Sequence, residues 1–245
     1  MAEPVLSDML HREEGCTHIT VERKYYHIEG TDAEHDTYVK RSLRPSEWQT
    51  NPFGGTVYIP RLGNERILNE VACMRFIAKH TDIPVPKVYA CFEDDGAVYL
   101  VRERVEGVTM DVLDAGKRKV VEAELEKHLQ TMKALRSSAW GGPSGLVVPP
   151  YRLLAKTYRP WVMKRRPTED LVFCHNDLST HNVIVDPQTL KVKAIVDWEY
   201  AGFFPAEFEG MFFRRPGPSV ALEGEVDDEM KLLAIMRANR EEEMD

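Results

Sequence analysis

The sequence contains little cysteine, and its cysteines are scattered. Only four occur in 245 residues, namely Cys16, Cys73, Cys91 and Cys174. They do not form the closely spaced pairs with which zinc fingers bind their metal, and they are too few and too dispersed for a disulfide framework. We therefore expect reduced thiols in a cytoplasmic protein, and neither a zinc module nor a disulfide-stabilised one.

An excess of basic charge is also absent. Lys and Arg contribute 32 side chains and Asp and Glu contribute 40, so the net charge at pH 7 is -8. Proteins that bind nucleic acid need basic surfaces that neutralise phosphates, and we therefore predict no nucleic-acid partner. An acidic protein also favours a cationic or neutral substrate, although net charge mainly governs solubility.

Long apolar runs are missing as well. No segment approaches the roughly 20 apolar residues that cross a bilayer. The segment from Met1 to Glu14 lacks the basic and then apolar order of a signal peptide, so we predict no membrane partner. A chain of 245 residues can nevertheless bury a sizeable core, as one large domain or as two modest lobes.

The most informative segment that is present runs from Phe173 to Asn182, with the sequence FCHNDLSTHN. Asp177 follows His175 by two residues, Asn182 follows Asp177 by five, and Asp197 comes after a later apolar run. This is the spacing of the catalytic loop and the metal-binding Asp of protein kinases. Two carboxylates and one carboxamide in this order are suited to bind a Mg-nucleotide and to deprotonate a hydroxyl.

Strand patterns surround this segment. Leu171 to Cys174 is typical of a short buried strand, and Val183 to Val185 and Val192 to Val196 predict two more, joined by a turn. In an antiparallel pair, the residue that enters the first strand lies beside the residue that leaves the second. We therefore predict that Asn182 and Asp197 are neighbours, as two ligands of one cation must be.

These residues resemble the aminoglycoside phosphotransferase and choline kinase-like enzymes, small-molecule relatives of protein kinases, and most closely a fungal phosphotransferase-like branch. The resemblance runs from about residue 36 to about residue 215 and is strongest in His175 to Asn182 and in Ile195 to Glu199. It implies a bilobal, protein-kinase-like α+β fold, with a small antiparallel-sheet N-lobe that has one helix and a mainly helical C-lobe that carries the catalytic hairpin. Residues 1–105 would form the nucleotide-binding lobe, and residues 106–245 the catalytic and acceptor-binding lobe.

The resemblance also implies a reaction, the transfer of the γ-phosphoryl group of ATP to a hydroxyl of a small molecule, with Mg2+ as cofactor. Asp177 would be the catalytic base, and Asn182 and Asp197 would be the Mg2+ ligands. His175 is the other candidate in the catalytic loop. Since it follows a buried strand, we expect it to orient the loop by hydrogen bonding.

An ion pair is predicted upstream of this loop. Apolar residues recur at helical spacing from Asn64 to Thr81, and Asn64 is suited to cap the helix. Glu70 borders the buried face of this helix, where a carboxylate needs a partner. Lys40, in a strand-like segment, would join Glu70 to the nucleotide phosphates. Arg41 is the competitor, on the opposite face of the strand, and the resemblance favours Lys40.

A β-hairpin is predicted next. Lys87 to Phe92 and Ala97 to Val105 are strand-like, and an Asp-Gly turn signal lies between them. According to the resemblance, the chain after the second strand is the hinge between the lobes. The main-chain groups of Glu103, Arg104 and Val105 would hydrogen-bond the adenine there. Helical spacing farther along predicts three helices, over residues 118–138, 151–158 and 227–240.

Several departures from the family pattern leave other functions open. The Gly-rich phosphate loop is absent upstream of Lys40, where Gly30 stands alone, and residues 43–63 are longer than a simple link. Phe203 to Glu207 replaces the Gly-Asp-Pro that the family usually shows. The alternative function is therefore a catalytically weak, kinase-like protein that binds a ligand or a partner.

A third hypothesis is a hydrolytic metal site formed by His175, Asp177 and His181. It is disfavoured, because histidines six residues apart do not share a helix face as the zinc-hydrolase motif requires. The acceptor and the oligomeric state cannot be inferred from the sequence, since the loops that contact substrates carry no general code.

Overall fold

The computed structural model describes residues 10, 12–30, 36–50, 55–154, 156 and 161–241. Five strands form one antiparallel sheet beside a single long helix, and most of the remaining helical residues lie in the second half of the chain with two small sheets. This is the α+β class that the sequence predicted. The strands are β1 (Cys16–Ile19), β2 (Arg23–Ile28), β3 (Thr37–Ser42), β4 (Val88–Asp94), β5 (Ala97–Glu103), β6 (Val108–Thr109), β7 (Arg136–Ser137), β8 (Leu171–Cys174), β9 (Val183–Val185), β10 (Val192–Ile195) and β11 (Gly202–Phe204). The helices are α1 (Gly63–His80), α2 (Ala115–Ala134), α3 (Tyr151–Leu154) and α4 (Glu229–Ala238).

The large sheet has the strand order β1-β2-β3-β5-β4. Its register places Tyr25 of β2 opposite Lys40 of β3, and Leu100 of β5 on the other side of Lys40. The hairpin of β4 and β5 turns at Asp95 and Gly96, which have φ of 49° and 72°. Glycine adopts such angles without strain and Asp tolerates them, so the turn predicted from Asp-Gly is confirmed.

Helix α1 packs against this sheet and forms one wall of the core. It ends one residue before the predicted end, and the side chains of Ile67, Val71 and Met74 are buried as the periodicity required. The predicted cap is wrong. The N-cap residue is Leu62, and Asn64 lies in the first turn, where its amide accepts a hydrogen bond from Ser42 Oγ (2.6 Å). Asn64 therefore ties the helix to β3.

The predicted hairpin of β9 and β10 is confirmed. The two strands pair in antiparallel fashion, and the main-chain N–H of Val196 donates to the carbonyl of Asn182 over 2.9 Å. This hydrogen bond extends the ladder by one step beyond β10. Asp197, the next residue, therefore leaves the hairpin beside Asn182, as the pairing rule predicted.

The helices of the second half differ from the predictions at their ends. Helix α2 starts at Ala115, because Asp114 caps it by accepting from Lys117 N at 3.0 Å. It ends at Ala134, since the following residues form β7 and pair with β8. Helix α3 covers residues 151–154 of the predicted 151–158, and residues 155 and 157–160 lie outside the described part. Residues 31–34 and 51–54, in the segments around Gly30 and within 43–63, also lie outside it.

One apolar core joins the two halves of the chain. Ile67 of α1, Leu125 of α2, Phe173 of β8 and Trp198 belong to the same buried cluster. The indole N–H of Trp198 donates to the carbonyl of Ile195 at 2.8 Å, which fixes the turn after β10 against this core. Over the described ranges, no helix has the length and apolar character needed to cross a membrane.

Candidate active site

The side chain of Lys40 lies at the centre of a buried ion cluster. Its ammonium nitrogen is 2.8 Å from Glu70 Oε2, 2.6 Å from Asp197 Oδ1 and 3.0 Å from Glu199 Oε2. Strand β3 carries Lys40, helix α1 carries Glu70, and the turn after β10 carries Asp197 and Glu199. Burial alone would lower the pKa of Lys40, but the three carboxylates outweigh it and hold the pKa well above its ordinary value. Lys40 is therefore a permanent cation.

Strand alternation separates Lys40 from its competitor Arg41. The guanidinium of Arg41 turns to the other face of β3, where it contacts Glu47 and Glu13 at 2.7 Å each. The structure thus brings Lys40, and not Arg41, to Glu70 and Asp197. Burial raises the pKa of Glu70, despite its contact with Lys40.

Glu199 connects this cluster to a second set of cations that the sequence reasoning missed. Its carboxylate accepts hydrogen bonds from Lys40 and from Arg23 Nη2 (3.4 Å) and forms an ion pair with Arg66 Nη2 at 3.1 Å. Two signals pointed to this connection. Arg66 precedes Glu70 by one helical turn on α1, and Glu199 follows Asp197 by two residues.

His175 holds the catalytic loop against the end of the hairpin. Its ring Nε2 donates to the carbonyl of Val196 (3.0 Å), and its Nδ1 accepts from the main-chain N–H of Asp177 (3.3 Å). Both ring nitrogens are therefore occupied, and the tautomer is fixed. Burial lowers the pKa of His175 to about 4, which keeps the ring neutral. These two hydrogen bonds hold the loop, and the positioning role expected of His175 stays a prediction.

Asp177 itself stands at the edge of the cluster with its side chain only partly buried. Burial in the first place, and the negative charge of Asp197 in the second, raise the pKa of Asp177 to about 8. The amide nitrogen of Asn182 donates to the main-chain carbonyl of Asp177 at 2.8 Å. This hydrogen bond fixes the orientation of Asn182 and leaves its amide oxygen for another partner.

A buried carboxylate that the sequence did not predict, Glu209, holds the same loop through its main chain. Glu209 Oε2 accepts hydrogen bonds from the main-chain N–H of His175 and from that of Asn176. Asn176 adopts a left-handed conformation with φ of 67°, as does Asp197 with φ of 65°. Non-glycine residues rarely adopt such angles unless the surroundings hold them there. Glu209 is one of the groups that hold the loop in this shape.

Glu209 is also expected to make stability depend on pH. Burial raises the pKa of Glu209 from its ordinary value of 4.5 to about 7 in the folded protein, so the folded state binds the proton more tightly than the unfolded state does. Stability should be greatest below the unfolded pKa and should fall as the pH rises through the folded pKa. Glu209→Gln still accepts the two N–H bonds but does not titrate. It should therefore remove this loss of stability, which amounts to about 3 kcal/mol in the free energy of unfolding.

Urea denaturation of the wild type and of Glu209→Gln between pH 4.5 and pH 8 measures this difference in the free energy of unfolding. Glu207→Gln, at an exposed position two residues earlier, is the matched control. Parallel stability curves for wild type and Glu209→Gln would contradict the expectation.

Two adjoining cavities border the ion cluster. The first has a volume of about 430 Å³, and Lys40, Glu70, Asn182 and Asp197 line it. The second, of about 250 Å³, shares Thr20, Tyr25 and Asp197 with the first. The lining of the second cavity, which we call the inner cavity, includes Asp177, Glu199, Arg66, Tyr151 and Tyr200.

The predicted hinge residues lie apart from the first cavity. Glu103 ends β5, and its main-chain N–H already donates to the carbonyl of Lys87 at 2.8 Å. Its side chain accepts from Lys87 N at 3.0 Å. Val105 follows two residues later and, within the described ranges, makes no main-chain hydrogen bond. The main-chain groups of Val105 are therefore available to a ligand, whereas the main-chain N–H of Glu103 is already used.

The donor set at the first cavity fits Mg2+. The Asn182 amide oxygen and the Asp197 carboxylate are hard oxygen ligands, which this ion prefers. The Asp197 side chain remains 34% exposed, so part of it is accessible from the cavity. Oxygens of Glu70, Asp197 and Glu199 also lie within 4.8 Å of one another. The ammonium of Lys40 already contacts all three, which makes Asn182 with Asp197 the better pair.

Comparison with known proteins identifies the family of the chain. The sequence profile described as the phosphotransferase enzyme family, APH, matches residues 23–212. The chain belongs to this family. The match includes all of the residues of the ion cluster and of the catalytic loop. Among curated proteins, none matches the chain.

Solved phosphotransferase structures share the fold. A thermostable mutant of aminoglycoside phosphotransferase APH(4)-Ia, in a ternary complex with ADP and hygromycin B, is 14% identical, with 82% of this chain and 68% of that chain covered and a TM-score of 0.51. A structure of APH(4)-Ia is 15% identical with the same coverage and TM-score. The aminoglycoside-3'-phosphotransferase of type VIII is 22% identical, with 81% and 77% covered and a TM-score of 0.49.

At this identity, the likeness to APH(4)-Ia shows the fold alone. It confirms the bilobal, protein-kinase-like fold that the resemblance implied. The fungal branch is not tested by these matches and stays a prediction.

Proposed function

We propose that this phosphotransferase moves the γ-phosphoryl group of ATP to a hydroxyl group of a small molecule. The observation that carries the proposal is a convergence of charged groups. A buried Lys-Glu pair, two oxygen ligands suited to Mg2+ and a half-buried Asp come from distant parts of the chain to two adjoining cavities. These are the parts that phosphoryl transfer requires, because its catalysis depends on positioning and on charge stabilisation.

On the nucleotide side, Lys40 would contact the phosphates while Glu70 holds its ammonium in place. Asn182 and Asp197 would bind Mg2+, which when bound offsets the charge of the phosphates. The free main-chain groups of Val105 are the proposed adenine contacts, together with the carbonyl of Glu103, which also accepts from Arg102 Nη1 at 2.9 Å. This assignment places the nucleotide-binding lobe in residues 1–105 and the acceptor lobe in residues 106–245.

On the acceptor side, Asp177 borders the inner cavity and would accept the proton of the substrate hydroxyl. The hydroxyl oxygen then bonds to the γ-phosphorus, the bond from that phosphorus to the bridging oxygen breaks, and ADP leaves. His175 and Glu209 position Asp177 through the main chain of the catalytic loop. A general base held in this way contributes about 100- to 10,000-fold to the rate.

Binding of Mg-ATP tests the nucleotide half of the proposal. At a ligand concentration of about 100 times Kd, binding stabilises a protein by about 2.7 kcal/mol, which for a chain of this size corresponds to a rise in Tm of about 5 to 10 °C. We expect this rise for the wild type and its loss in Asp197→Ala, because a ligand of the cation disappears. Thermal melting with and without Mg-ATP measures it.

The control for this experiment is Glu223→Ala, which removes a carboxylate from an exposed position. It should keep the full rise in Tm. An equal response of both variants to Mg-ATP would refute the assignment of Asp197.

A further inference from the structure

A third cavity continues the inner cavity outward, away from the nucleotide side. Its volume is about 560 Å³, within the range of small-molecule sites. It shares Glu22, Arg66, Tyr151 and Tyr200 with the inner cavity that Asp177 borders. We call it the outer cavity. A molecule that presents a hydroxyl to Asp177 would extend its remaining atoms into this space.

Basic side chains outnumber acidic ones in the described lining of the outer cavity. Arg61, Arg66, Arg152 and Lys156 face only two carboxylates, Glu22 and Glu229. Asp228 pairs with Arg152 at 2.8 Å and Glu199 pairs with Arg66 at 3.1 Å from outside this lining, and with these two included, four carboxylates face the four cations. The surroundings of the outer cavity are therefore near neutral although the chain as a whole carries a charge of -8, and it is the local charge that a bound ligand experiences.

The two acidic groups of this lining are already engaged. Glu22 accepts from Arg66 Nη2 at 2.6 Å and from the Tyr58 hydroxyl at 2.8 Å, so both of its oxygens are used. Glu229 Oε2 is 2.9 Å from Lys156 Nζ. An ammonium group that entered the outer cavity would have to displace a cation from one of these pairs. The described lining therefore offers poor partners to a polycationic acceptor.

Two guanidinium groups beside the outer cavity retain unused donors. Arg152 and Arg66 are each 3% exposed. Arg152 Nη1, Arg66 Nε and Arg66 Nη1 make no hydrogen bond within the part of the chain that the structure describes. Buried donors without acceptors carry a desolvation cost, and a nearby negative charge lowers that cost. These unused donors favour an anion in the outer cavity.

We propose that the acceptor is an alcohol that carries an anionic group, a carboxylate or a phosphate. This inference rests on the phosphotransfer proposed above. The hydroxyl lies at Asp177, the anionic group lies in the outer cavity near Lys156, and the body of the molecule packs against Tyr151 and Tyr200. These two rings stand 5.8 Å apart at 63°, and they form an apolar wall between the two ends. The expected acceptor thus differs from an aminoglycoside, whose amino groups are cationic.

Matched probes test the charge preference directly. The alcohols 4-(hydroxymethyl)benzoate and 4-(hydroxymethyl)benzylamine have nearly the same shape and opposite charge, and 4-(hydroxymethyl)phenyl phosphate distinguishes a phosphate site from a carboxylate site. Titration calorimetry in the presence of Mg-AMP-PNP should show that at least one of the two anions binds about 10-fold more tightly than the amine. Equal or tighter binding of the amine, or no binding of either anion at about 10 mM, where even a Kd of 1 mM gives saturation, would overturn the proposal.

A pair of charge variants locates the anionic group. Lys156→Gln should weaken binding of the preferred anion about 3- to 10-fold, and Glu229→Gln should tighten it by a similar factor, because each variant changes the local charge by one unit in opposite directions. General damage to the fold cannot produce opposite effects. Lys119→Gln, on the exposed side of α2, is the control and should change nothing. Shifts in the same direction, or none, would overturn the placement.

The outcome also separates this inference from the proposed function. Preferential binding of an anionic alcohol without phosphoryl transfer to it would count against the phosphotransfer and support the anionic site. Phosphoryl transfer to the amine in preference to both anions would support the phosphotransfer and overturn the anionic site.

Discussion

Asp177→Asn is expected to lower kcat by about 100- to 10,000-fold, which corresponds to roughly 3 to 5 kcal/mol of barrier. The amide cannot accept the proton of the substrate hydroxyl, while the main-chain contacts of the loop with His175 and Asn182 stay available. The rise in Tm with Mg-ATP should remain, since Asn182 and Asp197 are unchanged. ATP turnover over a panel of hydroxyl compounds, including the anionic alcohols, measures the effect.

The fold should tolerate this change well. Without Mg2+, burial and Asp197 raise the pKa of Asp177 to about 8, so a neutral amide removes the cost of burying the charged form. Bound Mg2+ would offset the charge of Asp197 and favour the charged Asp177 that accepts the proton. Asp186→Asn, in the turn between β9 and β10, is the matched control and should keep full turnover. If Asp177→Asn lost Tm and kept its turnover per folded molecule, Asp177 would be a structural residue.

The same assay addresses the alternative function. A wild-type protein that binds Mg-ATP and transfers phosphate to no alcohol of the panel would favour a kinase-like protein that binds a ligand or a partner. Phosphorylation of any member of the panel would exclude that alternative.

The parts of the site that the sequence predicted depend on local periodicity. Alternation along β3 separated Lys40 from Arg41, and the register of one hairpin placed Asn182 beside Asp197. Helical spacing likewise put Glu70 on the inner side of α1. In each of these cases the geometry follows from the period of one strand or helix or from one hairpin, and a single sequence contains that information. The choice of Lys40 over Arg41 came mostly from the resemblance.

The parts that the sequence did not predict depend on distant pairs. Glu209 binds main-chain groups 33 and 34 residues away, and Glu199 lies 176 residues from Arg23. No periodicity connects such positions. The wrong cap at Asn64 has the same origin, because a contact with Ser42 on β3 took the side chain that a local rule assigned to the helix end. Tertiary contacts override local preferences in this way.

Lys40→Met is expected to destabilise the protein by about 3 to 5 kcal/mol, the usual effect of removing one partner from a buried ion pair. Met has a similar length and no charge, so Glu70, Asp197 and Glu199 would stay close together with their shared cation lost. Urea denaturation measures the free energy of unfolding. Lys119→Met, at an exposed position, is the control and should cost much less.

A second variant shows whether charge is the cause of this loss. Glu70→Gln in the Lys40→Met background removes one of the uncompensated carboxylates, so the double variant should be more stable than Lys40→Met alone. The coupling between the two sites should be about 0.5 to 3 kcal/mol, the range for residues in direct contact. Additive effects, or a loss below about 1 kcal/mol for Lys40→Met, would mean that solvent already screens the cluster. Lys40 would then serve the nucleotide and not the fold, and its removal should change the KM for ATP while Tm stays near that of the wild type.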